Sequence, residues 1–297
     1  MLCVAAGIGL QAATLMPALA QEQAPAPVFQ IAPPDELPWL HHWRFTTDLT
    51  HAEGVDIDNR RDRLGDNISD TVKIGLEAGI GRLGFGRIEV GQLGAQNSSR
   101  QLFLNDSGES DATSIGASGG IFVLPFLAIG GMVQYGWSDA QDRMTDPDTG
   151  TPLAVIDRED RQLKWAPFIT VVYPIGRVEL SATGSYFNVE RHSDYSGSGA
   201  TVEHDDGSLS AWTAGGTVGW WVVPELRLGA GATWIAVVDQ KPQAGATPLD
   251  SSWGNARGDL LWRTPVPGVD LALHGGHDFD NRQGNGWSAG GGLAFRF

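Results

Sequence analysis

His192 and Ser193 set a base and a hydroxyl nucleophile side by side, the first pairing in this chain that could do acyl-transfer chemistry. On an extended strand, adjacent side chains point to opposite faces, so a direct hydrogen bond between the two needs a bulge. Asp270, His274 and Asp278 do share a face. Residues four apart on a strand are separated by about 13 Å, too far for His274 and Asp278 to form a dyad. Asp146-Pro147-Asp148-Thr149-Gly150 has the acidic spacing that opens a calcium loop, but the remaining ligands are missing. The single cysteine, Cys3, excludes a disulfide framework and a thiolate metal site. These residues assign no catalytic group, no metal and no cofactor.

The other reactive groups are charges in near-adjacent opposite-sign pairs: Lys73/Glu77, Arg87/Glu89, Arg177/Glu179, Glu225/Arg227 and Arg257/Asp259. With Arg263, Asp270, His274 and Arg296 they fall on the polar faces of alternating segments. Residues two apart on a strand share a face and can pair with each other or with the next strand. Two readings stay open: a salt-bridged interior that rigidifies a narrow barrel, and a polar conduit for small solutes. Mixed sign argues against strong ion selectivity.

The elements that must position these charges are strands. Trp212, Ala214, Gly216, Val218, Trp220 and Val222 alternate with Thr213, Gly215, Thr217 and Gly219. After Pro224, Leu226, Leu228, Ala230, Ala232 and Trp234 alternate with Arg227, Gly229, Gly231 and Thr233. One apolar face against one small-or-polar face is a half-buried strand, and the brief connection makes a hairpin. The pattern recurs in about twelve segments, an even number as bacterial membrane barrels require. They lie near 40–51, 68–80, 83–96, 111–123, 126–138, 161–173, 176–190, 208–223, 225–238, 252–264, 268–279 and 286–297. Short connections alternate with long, acidic ones at 52–67, 97–110, 139–160, 191–207 and 239–251, while the last, 280–285, is brief.

The fold class expected is all-β: a transmembrane, antiparallel, up-and-down β-barrel with short periplasmic turns and longer extracellular loops. An Arg or Lys at the bilayer midplane costs about 2–4 kcal/mol on a barrel's lipid face, so the charged faces are expected inside and the apolar faces outside. Trp137, Trp165, Tyr173, Trp212, Trp220, Trp234, Trp262 and Trp287 fall near the two ends of the segments, where aromatic girdles belong.

Residues 1–20 read as a signal peptide, with Ala18-Leu19-Ala20 as the cleavage site, and 21–38 as a proline-rich periplasmic spacer. Residues 39–297 are the barrel. No later stretch reaches the ~18 consecutive apolar residues of a spanning helix. The net charge of −15 excludes a nucleic-acid binder, which must meet phosphate with basic surface.

The last strand, Gly292-Leu293-Ala294-Phe295-Arg296-Phe297, resembles the C-terminal signature of bacterial outer-membrane barrels. That resemblance implies that Leu293, Phe295 and Phe297 are read by the barrel assembly machinery. It also implies a place in the outer membrane among its lipids and lipopolysaccharide. In architecture, 39–297 resembles the twelve-stranded autotransporter β-domain. Only eighteen residues stand between cleavage site and barrel, which leaves no room for a passenger, and their prolines oppose the family's pore-filling helix. The function expected is a small pore or a structural, autotransporter-like barrel. The alternatives are a surface adhesin and a lipid-modifying enzyme, since His192-Ser193 resembles the His and Ser of barrel lipid hydrolases.

Overall fold

The computed structural model describes residues 42–58, 63–80, 83–101, 104–198, 203–242, 251–279 and 285–297. The expected signal peptide and spacer lie outside the described residues. Twelve strands follow one another: β1 His42–Asp58, β2 Arg63–Ile80, β3 Gly84–Gln101, β4 Leu104–Leu124, β5 Leu127–Thr145, β6 Pro152–Ile175, β7 Val178–Ser196, β8 His204–Val223, β9 Leu226–Lys241, β10 Ser252–Arg263, β11 Val269–Phe279 and β12 Asn285–Arg296. Each pairs antiparallel with its neighbours in sequence, and β1 pairs with β12, so the sheet closes on itself. Closure satisfies every ladder and leaves no edge. At the seam Trp43 and Phe297 exchange backbone hydrogen bonds of 3.2 and 3.1 Å.

The period-two alternation is visible in the accessibility of each strand. Along β6, Arg158, Asp160, Lys164, Ala166, Phe168 and Val172 are buried inside, whereas Leu163, Trp165, Ile169, Val171 and Tyr173 are exposed outside. The outward apolar set continues around the molecule with Val72, Ile74, Ile88, Val90, Val133, Val218, Leu228 and Leu293. This inverts a soluble β-protein, whose large apolar side chains are buried.

Two corrections to the sequence reading concern the connections and the interior. The segments read as loops at 52–67, 97–110, 139–160 and 191–207 are largely strand. The β5–β6 hairpin, for instance, stays paired to Thr145 and Pro152 and turns only through 146–151. Charged and apolar residues are mixed on both faces there, which hides the alternation, but a ladder needs only backbone donors and acceptors. The second correction is that the inward faces are not uniformly polar. Ala166, Phe187, Leu209, Ala211, Ile235 and Trp253 form a buried apolar cluster inside the wall from β6 to β10. Charge alone assigned the faces in the sequence, and these stretches carry little.

Two rows across the sheet show how glycine shapes the inside. Phe85, Gly120, Gly130 and Phe168 are successive register partners on β3, β4, β5 and β6. The two rings stack at 6.3 Å over the glycines, and a Cβ at Gly120 or Gly130 would come within 2.8 or 2.6 Å of a ring atom. Real Cβ atoms do not approach so closely, so the rings lie flat on the wall only because these positions carry no side chain.

Candidate functional site: the charged barrel interior

The second row is built the same way around a charge. Glu179, Gly219, Gly229 and Asp259 are register partners on β7, β8, β9 and β10. The Arg227 guanidinium lies over Gly219 and the Asp259 carboxylate over Gly229, and the arginine donates to Glu179 at 3.2 Å and to Asp259 at 2.6 Å. It is 1 % exposed, and two carboxylates clamp it from opposite sides. Such a pairing offsets desolvation because charge-assisted bonds strengthen in a low dielectric.

Across the barrel a second network runs through β12, β1, β2 and β3. Arg296, Arg44, Glu77 and Arg87 are register partners in one row. The adjacent arginines are drawn apart to separate acids. Arg296 meets Asp270 at 3.1 Å, while Arg44 meets Glu77 at 2.9 Å. Glu77 also accepts from Arg87 at 3.2 Å, and Arg87 meets Glu89 at 2.8 Å. Lys73 stands opposite Asp48 in the register. The β11 histidine His274 faces Thr50 at 3.1 Å and Asp48 at 3.6 Å, and Asp278 accepts from Asn255 at 2.8 Å. His274 and Asp278 thus have separate partners.

The remaining charges singled out in the sequence fall elsewhere. Arg257 faces inward on β10, and Arg263 lies over the Trp221 ring at 4.6 Å. Arg177 and Glu225 sit exposed in the tight β6–β7 and β8–β9 turns, where Arg177 donates to the Val222 carbonyl at 3.2 Å. Both were expected on the polar faces of strands; instead each closes its hairpin. Trp137, Trp165, Trp212, Trp234 and Trp287 are exposed outward toward one end, and Tyr173, Trp220 and Trp262 toward the other. Leu293, Phe295 and Phe297 are exposed on the outer side of the seam.

One buried cluster was not anticipated. Asp160 accepts from Arg158 at 3.1 Å, from Ser138 at 3.2 Å, and from Arg191 and Ser193. Asp142 is buried nearby. Asp142, Arg158, Asp160, Arg191 and Ser193 fall in stretches that the sequence alone reads as loops, and only the opposite facing of His192 and Ser193 is expected from strand geometry. Ser193 therefore turns inward to Asp160, while its neighbour His192 turns outward to Asp206 at 2.6 Å. Base and nucleophile sit on opposite sides of the wall. The calcium-like stretch is likewise engaged: Asp146 Oδ1 accepts from the Asp148 and Thr149 amides at 2.9 and 2.8 Å and closes its own turn.

No protein-family model matches the sequence, and no curated protein matches it. Solved structures do. The translocator domain of autotransporter NalP from Neisseria meningitidis superposes with a TM-score of 0.73 at 14 % identity, over 86 % of this chain and 88 % of that one. The β-domain of the Bordetella autotransporter BrkA gives 0.65 at 14 % identity, over 86 % and 99 %. An outer-membrane channel from Pseudomonas putida F1 gives 0.53 at 12 % identity, over 92 % and 100 %. The fold is that of outer-membrane barrels and resembles autotransporter translocator domains.

Proposed function

We propose that this protein spans the bacterial outer membrane and holds a narrow, water-filled polar passage along one side of its interior. The passage follows the wall from β11 through β12 and β1 to β3. The observation that carries this reading is a contrast in exposure between inward-facing charges. Arg44, Asp48, Glu77, Arg87, Glu89 and His274 keep 19–32 % of their side chains accessible. Across the barrel Arg158, Glu179, Arg191 and Arg227 keep 1–6 %; Asp259 keeps 24 % there, and Asp270 on β11 keeps 5 %. An inward side chain of a closed barrel that water reaches has water-sized space in front of it. The β6–β10 side is packed by the apolar cluster and the Arg227 clamp.

The membrane placement is supported by the outer surface. Trp165 and Tyr173 on β6, and Trp212 and Trp220 on β8, are outward pairs eight residues apart. At about 3.3 Å per residue and a tilt near 40° they mark levels about 20 Å apart. Apolar side chains fill the interval, close to the ~25 Å band of outer-membrane barrels. The short turns and the seam would face the periplasm, and the extended hairpins would stand outside. Leu293, Phe295 and Phe297 would be the strand that the assembly machinery reads. The partners are then outer-membrane lipid and lipopolysaccharide.

Positive and negative groups line the passage together, so it would conduct small solutes with weak charge preference. Single-channel recording of the refolded protein in planar bilayers is the test: discrete conductance steps are expected. Folded, inserted protein that gives no steps would mean a closed interior and would overturn the passage.

A further inference from the structure

Beyond the interior, one cluster on the outer surface is put together by the register of β7 and β8. His192 pairs across the ladder with Asp206, and Asp194 with His204. The four side chains form a square on the outward face, four residues past Asn188, the register partner of Trp165. That level lies beyond the aromatic belt, in water on the reading above. The rings of His192 and His204 stack at 6.2 Å and 14°.

We propose that His192, Asp194 and His204 form a binding site for a divalent transition-metal ion of the zinc class, with Asp206 orienting His192. Their ligand atoms all lie within 4.8 Å of one another. A tetrahedral ion with metal–ligand bonds near 2.0–2.1 Å needs ligand atoms about 3.3 Å apart. His192 Nε2 already stands 3.4 Å from Asp194 Oδ1. His204 Nδ1 and the same oxygen are 2.5 Å apart, a hydrogen bond that opens by under 1 Å when the ion replaces the shared proton. Asp206 holds His192 Nδ1 at 2.6 Å, which fixes the tautomer that presents Nε2 to the site. A carboxylate behind a ligating histidine is the usual outer support of such an ion.

Two imidazoles and one carboxylate select the ion class. Zinc, nickel and copper accept nitrogen donors, whereas calcium and magnesium require oxygen-rich shells of six or more ligands. The site is open to the medium, and the ion would clip β7 to β8 where the hairpin leaves the membrane. Two independent exposed His–carboxylate pairs would each contribute little on their own. They would not require His192 to turn its second nitrogen toward Asp194.

The experiment is calorimetric titration of ZnCl2 into the untagged, refolded full chain in detergent, with CaCl2 and MgCl2 as comparators. One equivalent of zinc is expected to bind, and neither comparator should compete. His204→Ala should abolish the saturable site, and Asp206→Asn should weaken it by about 10–100-fold. Mobility on an unheated gel verifies that each variant is folded, and these exposed side chains are not needed for the ladder. Saturable binding retained in a folded His192→Ala/His204→Ala double variant would overturn the proposal. So would its absence from the folded wild type. Neither result depends on whether the interior conducts.

Discussion

The guanidinium carbon of Arg227 lies 2.6 Å from the point where a Cβ on Gly219 would stand. The arginine reaches Glu179 and Asp259 only because the residue it crosses has no side chain. Gly219→Ala should therefore push the guanidinium off the wall and break both ion pairs. Arg227→Met should leave the buried Glu179 without its counter-charge and the partly exposed Asp259 without its guanidinium partner. Breaking a buried pair typically costs about 3–5 kcal/mol, and a loss of that order is expected from Arg227→Met in urea unfolding followed by tryptophan fluorescence. Adding Glu179→Gln and Asp259→Asn to that variant should recover part of the loss. Failure to recover any would mean that the clamp is not the origin of the effect.

The proposed passage can be probed by sign. Glu77 is shared by Arg44 and Arg87, so Glu77→Gln leaves two partly exposed cations with less compensation. The reversal potential in a salt gradient should move toward anion preference. Arg87→Met should move it the other way. Shifts of the same sign, or none, would place the ion path elsewhere.

Two carboxylates of the loop-end cluster should respond oppositely to neutralisation. Asp142 and Asp160 lie five residues beyond Trp137 and Trp165, outside the apolar band. Burial raises the pKa of Asp160, but Arg191 and Arg158 outweigh it, and the net direction is down. Its stabilisation is therefore present above the unfolded-state value near 3.9, and it is lost as pH falls through the lower folded value. For Asp142 burial dominates and the net direction is up. Its charged form is disfavoured by folding, so that cost is relieved as pH falls through the raised folded value. At pH 7, Asp160→Asn should destabilise by about 3–5 kcal/mol because it leaves two buried arginines facing each other. Asp142→Asn should be neutral or stabilising. Urea midpoints of the two variants measure the contrast directly.

Phe297 separates insertion from stability. Its ring is 74 % exposed, and the seam is held by its backbone to Trp43. Phe297→Ala should refold in detergent with an unchanged urea midpoint. In cells it should accumulate less in the outer membrane, as read by immunoblot of the membrane fraction. Equal amounts in both strains would remove the assembly role.

The closed barrel was legible because apolar residues alternate with small or polar ones at period two in twelve runs, and such runs with tight turns leave few other folds. The interior was less so. Arg87 and Glu89 pair along one strand as their spacing allows, whereas Arg227 finds its acids on β7 and β10. Which residue lies opposite which is a property of register, and a single strand's pattern does not contain it. The same gap hid His192 from Asp206 and Asp194 from His204. Where charged and apolar residues mix on both faces, as around Asp142 and Asp160, the period itself disappears and strand reads as loop.

The paired glycines under Phe85 and Phe168 carry a consequence for the bore of the barrel. Those rings are parked against the wall by residues that contribute no atoms of their own to the inside. A methyl group at Gly120 or Gly130 would meet a ring and a carbonyl of the neighbouring strand together, so both the aromatic plane and the local sheet would have to shift. On the proposed passage, the calibre would be set as much by what the wall omits as by what projects from it.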